Sequence, residues 1–163
     1  MKSLLVIRHA KSSWSTADLL DFDRPLNERG KRDAPAVADA LIKKNVSIDT
    51  FISSPAKRAK KTAQYFCEAY QKDKDDIIFK PALYHASPEV FYEVIKSIGK
   101  NSDTVAIFSH NPGITEFVNT LTDTRIDDMP TCGVYAIQMQ EDDWAKFEKA
   151  EKTFWFFEAP KLL

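Results

Sequence analysis

Four residues in this chain have the types that phosphoryl chemistry needs. Arg8-His9 closes the apolar run Leu4-Leu5-Val6-Ile7, and His110 closes a second one, Asp103 to Ser109 (DTVAIFS). Arg58 lies just after Ser54-Pro55, a dipeptide that reads as a helix cap followed by a first-turn proline. Guanidinium groups offer a rigid fork of donors that fits phosphate oxygens. Histidine serves as a base or a nucleophile near neutral pH. Together the two arginines could hold a dianionic phosphoryl group and stabilise it in the transition state. One imidazole, kept neutral by the neighbouring positive charge, could attack phosphorus. The other, if protonated, would donate to a phosphoryl oxygen. On Arg8-His9 alone, a polar strand end meeting solvent explains the residues equally well.

The elements around them favour the chemical reading. A short, fully apolar run reads as a central strand covered on both faces. The carboxyl ends of such strands are where open α/β sheets place their ligands. Ala34, Val37, Ala38, Leu41 and Ile42 recur at helical spacing. That helix starts either at Asn27-Glu28, with Pro35 inside it, or at Asp33, with Pro35 in its first turn. Thr50 to Ser53 is a short strand. The helix after it has Ala56, Ala59, Ala63, Phe66, Cys67 and Tyr70 on its apolar face and carries Arg58 in its first turn. A cation there opposes the helix dipole and calls for an anion nearby. Residues 77–80 form a third short strand. Ser87-Pro88 starts a helix with Val90, Phe91, Val94, Ile95 and Ile98 on its buried side, and Gly99 stops it. Asn111-Pro112 is a third cap-plus-proline start, with Ile114, Phe117, Val118 and Leu121 lining the helix. Residues 134–139 and 153–158 are two further strands. The stretch from Lys11 to Pro25 is a polar loop in which Asp21, Asp23 and Arg24 read best as a solvated charge run.

Composition narrows the class. A chain of 163 residues with 44% hydrophobic and 29% charged content is expected to be one soluble globular domain, 1–163. The net charge of −1 gives no basic field for nucleic acid or for a membrane surface. No run is long enough for a membrane span, and the opening residues lack a signal-peptide pattern, so the cytoplasm is the expected compartment. Cys67 and Cys132 are too far apart for a redox or zinc pattern. The three histidines show no metal-ligand spacing, so no metal is expected.

Five segments carry a resemblance to a known family. They are RHAKSSW (8–14), DRPLNERG (23–30), SSPAKRAKKTA (53–63), SHNPGI (109–114) and PTCGV (130–134). In this order they resemble the histidine phosphatase superfamily, the relatives of cofactor-dependent phosphoglycerate mutase. Within it they look most like the small SixA-type phosphohistidine phosphatases. The resemblance implies a three-layer α/β/α sandwich with a mostly parallel central sheet. It implies a phosphohistidine intermediate on His9 and a phosphate pocket built from Arg8, Arg58 and His110. It implies neither a metal nor an organic cofactor.

Larger members carry a glutamate general acid after the third strand, where this chain has Tyr84-His85 and then Glu89. His85 is the candidate acid, against its plainer reading as a polar loop residue. Asn111 is a candidate for positioning a phosphoryl oxygen, and Arg24 and Lys11 for lining the mouth. An alkoxide leaving group needs a proton, whereas phosphohistidine can leave as neutral imidazole if its ring is already protonated. The missing glutamate therefore favours a phosphohistidine-bearing signalling protein as substrate, with inorganic phosphate as product. The alternatives are a phosphatase for a small phosphorylated metabolite and a silent phosphoprotein-binding module. A mutase is disfavoured by the missing acid and by the short chain, which leaves little material for a lid. Nothing in the sequence demands an oligomer, and a monomer is expected.

Overall fold

The computed structural model describes residues 1–14 and 18–163. Ser15 to Ala17, within the expected polar loop, lie outside the described residues. Six strands form one sheet: β1 (Lys2–Arg8), β2 (Thr50–Ser53), β3 (Ile78–Phe79), β4 (Thr104–Ser109), β5 (Val134–Met139) and β6 (Lys152–Glu158). Their order is β3-β2-β4-β1-β5-β6. The first four in that row pair in parallel, and β5 and β6 join antiparallel, so the sheet is mixed.

β1 is central because it is apolar on both faces. Leu5 and Ile7 pack with Val37, Leu41 and Phe66, on helices α1 (Glu28–Lys43) and α2 (Lys57–Ala69). Leu4 and Val6 face the other way, onto Phe91, Ile95 and Phe117 of α3 (Pro88–Lys96) and α4 (Gly113–Val118). The period-2 alternation of a strand thus splits one apolar run between two cores, which is the physical basis of the three layers. Cys67 is buried, as its helical face predicts. Trp155 and Phe156 pack against one core and Phe154 and Phe157 against the other.

Helix starts differ from the sequence reading in two places. α1 begins at the earlier alternative: the Asn27 side chain accepts from Gly30 N, and Pro35 lies inside the helix. Ser87 caps α3 as expected. Ser54 does not cap α2, which starts at Lys57 after Ala56. Its hydroxyl instead accepts from Ala56 N at 3.2 Å and meets His110. α4 starts at Gly113, with Pro112 rather than Asn111 at the cap position and a cis Asn111–Pro112 peptide. The stretch between β5 and β6 holds only a 3-10 turn, Trp144–Lys146. Among the described residues no helix is long and apolar enough to cross a membrane.

Candidate active site

The parallel strands β1, β2 and β4 all end at one edge of the sheet. β1 and β4 run in register, with Ile7 opposite Phe108 and Arg8 opposite Ser109. The residues that follow, His9 and His110, therefore emerge side by side, with ring centroids 5.1 Å apart. The turn before β5 closes the third side. Cys132 N donates to the Arg8 and His9 carbonyls, each at 3.0 Å. The Arg8 side chain is tied to it as well, Nη1 donating to Met129 O at 2.8 Å.

α2 supplies Arg58. Its register against β1 is set by Thr62, whose hydroxyl accepts from Ala10 N at 2.9 Å and donates to Arg58 O at 2.8 Å. Arg58 Nε then points at His9 Nε2, 3.3 Å away. On the other side of that ring, Nδ1 lies 2.7 Å from Ala10 O. A carbonyl can only accept, so the Nδ1 proton stays there and the Nε2 lone pair faces the cleft. Burial, with the charges of Arg58, Arg8 and Arg24 against the opposing pull of the Ala10 carbonyl, lowers the His9 pKa to about 3. His9 is thus a neutral imidazole whose unprotonated Nε2 accepts from Arg58 Nε at the cleft floor.

The sequence left the charge of His110 open. Burial, then the neighbouring His9 and Arg58, lower its pKa to about 2, so the ring is neutral. Its Nε2 lies 2.8 Å from Ser54 Oγ. That hydroxyl accepts from Ala56 N and, among the described residues, has only Nε2 as an acceptor for its own proton, which leaves the ring proton on Nδ1. Nδ1 is buried without a hydrogen-bond partner, as is Arg8 Nε. Buried polar groups in native proteins are nearly always paired. Two unpaired nitrogens beside the neutral His9 ring offer donors to an anion.

These residues open into a cleft of about 470 Å³ whose lining includes Arg8, His9, Lys11, Arg24, Arg58, His85, His110 and Asn111. All eight residues singled out in the sequence thus converge, although not all in the form expected. Arg24 is not solvated: it is 8% exposed, and its three nitrogens donate to Ser13 O, Asp21 Oδ1 and Ser12 Oγ. Its guanidinium also stacks on Trp14, 3.2 Å from the ring centroid. The Asn111 side chain is spent on structure, donating to Asp128 and Met129 O and accepting from Thr115. His85 is exposed at the rim, stacked against Tyr84. Glu89, in the first turn of α3, does not line the cleft.

Sequence reasoning missed Asp21, among the described residues the only carboxylate that lines the cleft. Its Oδ2 accepts from Arg58 Nη2 at 3.0 Å and from the Tyr84 hydroxyl at 2.6 Å, and its backbone carbonyl takes Arg58 Nη1 at 2.7 Å. The Tyr84 bond and the two arginines hold its pKa well below the usual carboxylate range. Tyr84 in turn is pushed up, by burial and by Asp21. The one signal in the sequence was the arginine in the first turn of α2, which needed an anion. Among the described residues no group of His, Cys, Asp or Glu could hold a metal ion.

The model of the histidine phosphatase superfamily (branch 1) matches residues 4–84, the half that carries Arg8, His9 and Arg58. The chain belongs to the histidine phosphatase superfamily. The chain is accordingly a phosphatase, with a phosphorylated substrate and phosphate as product. An uncharacterized chloroplastic protein of Arabidopsis thaliana is 28% identical over 158 residues, covering 88% of this chain and 69% of the plant protein. The fold matches a protein assigned as the phosphohistidine phosphatase SixA of Agrobacterium tumefaciens, with a TM-score of 0.83, 24% identity and 98% coverage of both chains. It matches equally a protein histidine phosphatase SixA complexed with tungstate, at 0.83 and 18% identity, again over 98% of each chain. The mixed sheet with helices on both faces is thus the phosphoglycerate mutase-like architecture of SixA.

Proposed function

We propose that this superfamily member hydrolyses phosphohistidine on a protein, by way of a phosphoryl group carried on its own His9. The observation that carries the mechanism is the pairing of His9, neutral with an unprotonated Nε2 that accepts from Arg58 Nε, with two unpartnered buried nitrogens, Arg8 Nε and His110 Nδ1. In the first step the Nε2 lone pair forms a bond to phosphorus. The bond to the leaving group breaks, and its electron pair departs with that group. Arg8, Arg58 and the His110 Nδ1 proton bind the phosphoryl oxygens throughout. In the second step water takes the phosphoryl group from His9 and releases inorganic phosphate.

Two features support phosphohistidine on a protein over a metabolite ester. Among the described residues no protonated carboxylic acid overlooks the cleft, because Asp21 is held ionised and Glu89 stands outside. An alkoxide would leave without a proton, whereas imidazole can bring its own. Trp14, which lines the cleft, is exposed, and so are Leu19, Leu20 and Phe22, the chain neighbours of Asp21. Exposed apolar groups next to a cationic cleft suit a macromolecular surface. The SixA neighbours share the fold and are assigned this activity.

The test is phosphate release from a histidine-phosphorylated carrier protein and from p-nitrophenyl phosphate, for wild type and His9→Ala. Fast release from the carrier that vanishes in the variant is the expected result. Clear ester activity with none on phosphohistidine would replace the reading with a metabolite phosphatase. Phosphate affinity without turnover would make the protein a binding module.

A further inference from the structure

The cleft has a direction. His9, His110 and Arg58 are each 6% exposed and form its floor, whereas the Asp21 side chain is 46% exposed and stands at the mouth. In-line displacement sends the leaving group away from the nucleophile. With His9 on the floor, the leaving group departs outward, past Asp21.

Asp21 is connected in a way that matters for that group. Its carboxylate takes three donors: Arg24 Nη1 at 3.0 Å on Oδ1, and Arg58 Nη2 and the Tyr84 hydroxyl on Oδ2. An ionised carboxylate has about four acceptor sites, so one stays open toward the mouth. Arg58 is moreover shared. Its Nε faces His9, where a phosphoryl group would sit, and its two terminal nitrogens face residue 21. A bound dianion draws on the Arg58 charge and leaves Asp21 less compensated.

We propose that Asp21 determines specificity by reading the charge of the leaving group. It favours an imidazole that carries a ring proton and disfavours groups that depart as anions. The proposal rests on the phosphatase reading above and sharpens its substrate class. For phosphohistidine, the P–N electron pair returns to the leaving nitrogen while the proton on the other ring nitrogen stays in place, so neutral imidazole departs. A carboxylate beside the ring stabilises the proton-bearing form. For an ester, the P–O electron pair departs on oxygen, and the negative charge grows against Asp21.

Asp21→Asn tests this with little change of shape, because the backbone carbonyl keeps its hold on Arg58 Nη1. The substrates are the phosphorylated carrier, phosphoimidazole as a small molecule with the same leaving group, and p-nitrophenyl phosphate. For a half-exposed charge the variant should lose about tenfold in kcat/KM on both imidazole substrates and gain about threefold on the ester. A fall of about fivefold or more in the imidazole-to-ester ratio supports the assignment; a smaller change overturns it. Parallel losses on all three substrates would reduce Asp21 to a strut for Arg58 and Arg24. If wild type releases no phosphate from either imidazole substrate, the proposed function itself fails. If wild type does so and the ratio holds, only the role of Asp21 fails.

Discussion

The floor of the cleft and its mouth are built in different ways. On the floor, His9 and His110 follow directly on two parallel strands paired residue by residue, and their rings are oriented by a backbone carbonyl and by a buried serine. At the mouth, Asp21, Arg24, Tyr84 and Trp14 come from irregular segments and are held by side-chain bonds to one another. A buried ladder holds a nucleophile within the narrow tolerance that in-line attack requires. A side-chain network on loops can change partners without disturbing it. The proposed mechanism thus places the chemistry where the backbone is most constrained, and selectivity where it is least.

Substitutions on the floor should act on every substrate, and those at the mouth on some more than others. The largest effect belongs to His9→Ala: release should fall at least about 10⁴-fold, and no acid-labile phosphoenzyme should be trapped in a rapid quench. Arg58→Ala follows, with a loss of about 10²–10³-fold in kcat on phosphohistidine and on p-nitrophenyl phosphate alike. A loss confined to one substrate would move Arg58 from floor to mouth.

Gly30→Ala tests the join between the two regions. A Cβ there would lie 2.2 Å from the Lys11 carbonyl, a backbone atom with little freedom to yield. We expect about 2 kcal/mol of destabilisation in urea melts. A neutral result would mean that the segment after β1 shifts freely against α1.

The buried histidines also predict a pH dependence of stability. In the unfolded chain they protonate near the ordinary value of 6.5, whereas the folded protein holds His9 to about 3 and His110 to about 2. Below pH 6.5 the unfolded state binds more protons, so this stability is fully present above 6.5 and declines as pH falls. The urea midpoint should drop between pH 7 and 5, and less so in a variant lacking both histidines. In proton spectra neither ring should titrate between pH 8 and 5. The smallest effect is at the rim. Leu20→Ser should raise KM about two- to threefold for the phosphorylated carrier and leave p-nitrophenyl phosphate unaffected. An equal change on both would remove the rim from protein recognition.

What the sequence determined by itself was the floor. Leu4 to Ile7 and Val105 to Phe108 are apolar runs that can only be buried strands, so the residues after them had to meet at a sheet edge. Their types then named the chemistry. The helical faces around Phe66, Phe91 and Phe117 were legible for the same reason, since periodicity is local. The mouth was not. Asp21 reads as one charge in a polar loop, and the partners that give it meaning, Arg58 and Tyr84, lie 37 and 63 residues further on. Nor could residue types reveal that Asn111 is spent on Asp128, or that Ser54 turns from a helix cap to a histidine. The charge state of His110 was likewise decided only by tertiary structure. Desolvation depends on what surrounds a ring, and His110 packs against His9, Ser54 and Tyr84, each far from it in sequence.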